Sequence, residues 1–155
     1  MKALSLRPEW ALPVFLGAKS IECRTWKTDH RGPLLICSSS AKCPGTIAGH
    51  ALCIVDLQAI EPFSPAHLDG ALLLPEELPD NAYAWHIELI DWVEPFDVKG
   101  KLHLYDVDDD LIRVIPESVS SSDALDRYFE PLVYWGKDEQ GSREWWSNAT
   151  AHLRD

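Results

Sequence analysis

"GAKSIECRTW", residues 17–26, decides how this chain is read. Alternation makes residues 19–26 a strand, with Ser20, Glu22, Arg24 and Trp26 on one face and Ile21, Cys23 and Thr25 on the other. The apolar face is expected to turn inward. The other carries opposed charges beside an aromatic ring, and Lys19 stands where the strand begins. Such a face is either an ion-pair ladder at the mouth of a barrel or the wall of a ligand cleft.

Outward from this strand, "KALSL" alternates as a first strand, and Pro8 opens a short helix, "PEWALPVFLGA", for which Gly17 supplies a C-terminal cap. Next come the short apolar strand "PLLICSSS" and, after a loop, the buried strand "HALCIVDLQAI". The proline-rich stretch 61–82 reads as a long loop with one helical turn, a length that usually serves a lid or flap. "AYAWHIELIDWVEPFDV" and "KLHLYDVD" are expected as two strands joined near Gly100. Beyond the acidic run Asp108–Asp110 the texture turns helical, with Ser122 and Ser142 as expected caps. Trp145, Ala149 and Leu153, at helical spacing, are expected to pack on the barrel. The sum is a mixed α+β barrel of five or six strands within a single domain, residues 1–155. The barrel occupies about 2–115 and a helical extension about 120–155.

Composition narrows the function classes. The 155 residues are 46% hydrophobic and include seven Trp, enough for a packed core. No apolar run is long enough to span a bilayer, and the first ten residues lack the core of a secretory signal. A soluble, cytoplasmic protein with no membrane partner is therefore expected. The four cysteines, Cys23, Cys37, Cys43 and Cys53, form no C-x-x-C pair, so reduced, buried thiols are expected in place of a zinc site with His50. No metal and no cofactor is called for. His50 and His86 read as strand histidines with satisfied hydrogen bonds.

Net charge is −11, which argues against loose binding to nucleic acid phosphates. The charge is uneven, however. Residues 1–45 hold seven basic side chains and three acids; the remainder holds seven basic side chains and 22 acids. An anionic ligand should meet the first third.

Six blocks, "SLRPEWA", "GAKSIECRTW", "RGPLLICSSS", "GHALCIVDL", "YAWHIEL" and "EPFDVKGKLHLYDV", follow the order and approximate spacing of ASCH domains, so residues 2–107 resemble that family of the PUA-like β-barrel superfamily. The most specific piece is G-x-K-x-x-E-x-R, here Gly17, Lys19, Glu22 and Arg24. The resemblance implies a small barrel with a cleft on this strand, and a link to RNA. Some small bacterial members remove the acyl group from N4-acetylcytidine, using a lysine and a threonine of this strand with a glutamate from elsewhere. Another is described as a ribonuclease, and others are regarded as RNA-binding modules.

Carried over by position, Lys19 and Arg24 match the family lysine and arginine, while Glu22 occupies the place of the threonine. A carboxylate cannot act as a hydroxyl nucleophile. The remote glutamate would come from Glu61, Glu76 or Glu77, and the family's glutamine-proline-tryptophan turn is here Pro8, Glu9 and Trp10.

The readings that follow are three. One is an RNA- or nucleotide-binding module, with Arg24, Trp26, Trp10, Ser38 and Ser39 touching the ligand. Another is a hydrolase on N4-acylated cytidine nucleosides or a metal-independent ribonuclease, with Glu22 activating water and Lys19 steadying the oxyanion. The third is a protein-interaction module, with a protein partner.

Overall fold

In the computed structural model, which describes residues 1–154, six strands form one sheet in the order β2-β5-β4-β3-β1-β6. The strands are β1 (Lys2–Leu6), β2 (Ile21–Arg24), β3 (Gly32–Ser38), β4 (Ala51–Pro62), β5 (Tyr83–Trp92) and β6 (Tyr105–Asp106). β1 and β3 run parallel, which needs a crossover, and helix α1 (Pro8–Phe15) lies within it. All other pairings are antiparallel. The sheet is mixed and rolled into a half-barrel. The 12-residue β4 bends at irregularities near Ile54/Val55 and Leu57/Ala59, as bulges do.

The core explains the apolar runs. Leu4, Leu6, Leu34, Ile36, Val55, Leu57 and Trp85 turn to one cluster, which α1 covers with Ala11, Leu12, Val14 and Phe15. Ala3, Leu35, Cys37, Ala51 and Ile54 turn to a second cluster on the opposite face, under Val93, Tyr105 and Val107. β1 and β3 are thus buried on both sides. Pro13 sits inside α1, where proline costs about 3 kcal/mol. Its carbonyl accepts the N–H groups of Ala18 and Lys19, and Gly17 takes the left-handed conformation (φ 81°) that ends the helix.

The C-terminal segment joins the main core. Short α3 (Ser121–Ala124) runs into a wider turn, Leu125–Phe129, and Phe15 packs on both Trp92 and Phe129 at 4.5 and 4.3 Å. Helix α4 (Glu139–Thr150) buries Ser142, Trp146 and Thr150, with Ala149 and Leu153 packed against the core. Trp145 instead lies half-exposed against Gly45, because the helix docks with the Ser142, Trp146 and Thr150 stripe inward. The caps move likewise, to Ser120 and Asp138, each accepting a backbone N–H.

Two expectations for the middle of the chain are corrected. The 61–82 stretch holds three short helical turns, Pro65–His67, α2 (Leu68–Ala71) and Pro75–Glu77. β5 and β6 are not a hairpin: β6 is two residues long and pairs with β1, and the chain between them is irregular. Among the described residues no helix is long and apolar enough to cross a membrane.

Candidate functional site

β2 is an edge strand, paired only with β5, with Glu22 opposite Trp85 and Ile21 opposite His86. The pairing sets the faces, and both are covered. Glu22 shares the Trp85 side and is buried. Ile21 packs in a satellite cluster with Ala71, Ala84, Phe63 and Leu73, under the α2 segment. The Ser20 N–H donates to the Gly70 carbonyl at 3.0 Å, which seats that segment against β2.

Three charges meet at low exposure. Lys19 Nζ lies 2.9 Å from Glu22 Oε1, and Arg24 Nε lies 2.9 Å from Glu22 Oε2. The Arg24 contact is one of charge only, since its N–H is not aligned for a hydrogen bond. Lys19 Nζ also stands 4.4 Å over the Trp10 ring, a cation–π contact. Arg24 Nη2 donates to the Ser5 carbonyl at 2.9 Å. That bond spans the unpaired seam between β2 and the outer half of β1, so it helps hold the sheet rolled. Burying two cations with one anion is tolerable because every charge has an opposite or a π partner.

The seam is a pocket of about 290 Å³, lined by Arg7, Trp10, Lys19, Glu22, Cys23 and Arg24, with Leu6, Ala71 and Leu73 as apolar walls. Of the expected site residues it gathers Lys19, Glu22, Arg24 and Trp10. Cys23, expected in the core, lines the pocket. Burial first, and then the Glu22 carboxylate, push its thiol above the ordinary range.

The others lie elsewhere. β2 ends at Arg24, so alternation no longer aims Trp26; its ring packs edge-on against Trp85 at 4.9 Å and His103 at 4.7 Å. Ser38 is fully buried, and its hydroxyl exchanges hydrogen bonds with the His50 backbone where β3 and β4 diverge. Ser39 borders a neighbouring groove. No acid of 61–82 lines the pocket. Glu77 accepts the Leu74 N–H, and Glu61 is held by His67 and His86 at 2.6 and 2.9 Å. Arg7, Ala71 and Leu73 were not foreseen. Arg7 carries a signal, in "SLRPEW" beside Trp10; the other two sit in a loop without period.

Glu61, His67 and His86 are the group with metal-ligand character among the described residues. The Ser64 N–H donates to His67 Nδ1 at 2.9 Å, so the ring proton sits on Nε2 and points at Glu61. A metal would need that same nitrogen's lone pair. The trio is a latch, tying the Pro65–Ala71 turns to β4 and β5 and so steadying the pocket wall. The hydrogen bond from His86 first, then that from His67, lower the carboxyl pKa of Glu61. All four cysteines are free, and they do not converge with His50, which bonds Ala48 O and Asp97.

The profile of the ASCH domain matches residues 4–100. No curated protein matches the chain in sequence. Among solved structures, the crystal structure of ASCH from Zymomonas mobilis is similar at a TM-score of 0.53 and 15% identity, covering 70% of this chain and 88% of that one. A tyrosine-to-phenylalanine mutant of that bacterial protein gives a TM-score of 0.53 at 17% identity, over 70% and 91%. A serine-to-alanine mutant of it gives 0.53 at 15%, over 70% and 89%. At these identities the likeness is one of fold.

Proposed function

The chain belongs to the ASCH domain family, and from that premise we propose that the β2 pocket binds the base of a ribonucleotide or of single-stranded RNA. The observation that carries this reading is the ordered charge set inside a pocket of about 290 Å³. Lys19 and Arg24 offer donors and Glu22 an acceptor, the complement of a base edge, while Trp10 and Leu73 make apolar walls.

Turnover is the weaker reading. Both oxygens of Glu22 face cations, and no acid from 61–82 reaches the pocket to complete a triad. A role for Lys19 and Glu22 in acyl removal or strand cleavage would need one of them released by the substrate.

Calorimetry of wild type and Lys19→Ala with ribonucleosides, N4-acetylcytidine and short RNAs, with product analysis, decides between these. Saturable binding without new products, weakened in the variant, is expected. Free cytidine or shortened RNA, lost in Lys19→Ala, would establish an enzyme instead. No binding and no turnover across the set would overturn the proposal and favour a protein partner.

A further inference from the structure

A second groove, of about 600 Å³, opens beside the pocket and shares Leu6, Arg7 and Arg24 with it. Its far wall is the loop 98–102, which brings Lys99 and Lys101; Ser5 of β1 and Ser39 and Ser40, just past the end of β3, complete the lining. Four basic side chains and three serine hydroxyls line it, and no acid does; the Ser5 hydroxyl is bonded to that of Tyr105 at 2.6 Å. In a chain of net charge −11 that is a local reversal of sign. Arg7 is shared with Glu9 and Arg24 with Glu22, but Lys99 and Lys101 form no ion pair within 4.0 Å among the described residues.

The loop is seated rather than loose. Gly100 lies so close to β1 that a Cβ there would collide with the Ser5 side chain. The Val98 N–H donates to Gly49 O at 3.0 Å, Gly49 N–H to Ser39 O at 2.8 Å, and Ser39 N–H to Leu6 O at 2.7 Å. One run of backbone bonds therefore ties the lysine loop, the serines and β1 into a single wall.

We propose that this groove is a phosphate subsite, so that the ligand is phosphorylated: a base in the β2 pocket with its phosphate against Arg7, Lys99, Lys101 and the Ser39–Ser40 hydroxyls. The inference rests on the base-binding reading for the pocket. Lysine and hydroxyl donors that line one groove suit an oxyanion, and they leave a neutral nucleoside only half engaged. The phosphate can come from a free mononucleotide or from an RNA strand.

The test is calorimetry with adenosine and cytidine, their 5′- and 3′-monophosphates, ribose 5-phosphate and a six-nucleotide RNA. The proteins are wild type, Lys19→Ala and the exposed-loop double variant Lys99→Gln/Lys101→Gln. A monophosphate should bind about tenfold or more tightly than its nucleoside. The double variant should erase that gap while leaving nucleoside affinity unchanged. If the source is RNA, the gain appears mainly with the six-nucleotide strand, whose salt slope falls by about 1.4 in the double variant. Equal affinity for nucleoside and nucleotide, or a double variant that weakens both alike, overturns the subsite. Ribose 5-phosphate separates the two readings. Binding of it that is lost in the double variant, with no preference among base-bearing ligands, keeps the subsite and removes the base pocket. Nucleoside binding that phosphate does not improve does the reverse.

Discussion

Lys19 Nζ and Glu22 Oε1 stand 2.9 Å apart with the two side chains only 4% and 7% exposed, and that pair is the centre of the β2 pocket's charge set. Neither charge could sit there alone. Removing one partner of a buried pair costs about 3–5 kcal/mol, while replacing both with apolar groups of similar size can be neutral. Glu22→Ala is therefore expected to lower the unfolding free energy by about 3–5 kcal/mol in urea denaturation, with a smaller loss for Lys19→Met/Glu22→Leu, in which part-exposed Arg24 is the one charge left without its partner. If the double variant is as unstable as the single, the pair is not what holds the seam.

The latch predicts a pH dependence. The two imidazoles favour ionised Glu61, so its folded pKa lies below the ordinary 4.5. The stabilisation is present above the unfolded value and is lost as pH falls through the lowered folded one. Wild type should lose urea stability more steeply than Glu61→Gln from pH 4.5 downward. Parallel pH profiles would show that the latch contributes nothing.

Thiol chemistry reports on the pocket. The Cys23 thiol is raised, Cys37 is pushed up to about 11 by burial, and Cys53 is raised further still. At neutral pH native Cys37 and Cys53 should resist iodoacetamide, and Cys23 should alkylate slowly, faster as pH rises. Because Cys23 lines the pocket, a bound ligand should protect it. Peptide mapping by mass spectrometry would detect both effects; ligand-independent labelling of Cys23 would place the ligand elsewhere.

Adjacent tryptophans of α4 should behave unlike each other. Trp146→Ala empties a fully buried site, at about 3–5 kcal/mol. Trp145→Ala, at a half-exposed position, should cost about 1 kcal/mol. Equal losses in thermal unfolding would mean the helix is rotated from the orientation described.

By itself the sequence determined the family and the mixed α+β sheet. Gly17 had to end α1, and the apolar runs 34–37 and 51–55 had to be strands. It also grouped Lys19, Glu22 and Arg24 with Trp10. Tertiary structure alone decided which way β2 faces. Alternation separates two faces but does not say which one a neighbour covers, and here the α2 segment covers Ile21 while the barrel interior takes Glu22. The same limit misplaced Trp26, Ser38 and Trp145. A short strand ends before its pattern does, a hydroxyl is buried where β3 and β4 diverge, and a helix docks by a neighbouring stripe. The lysine loop needed the fold most of all. Lys99 and Lys101 lie more than 70 residues from Arg24, and they meet it only because Gly100 lets the loop press onto β1.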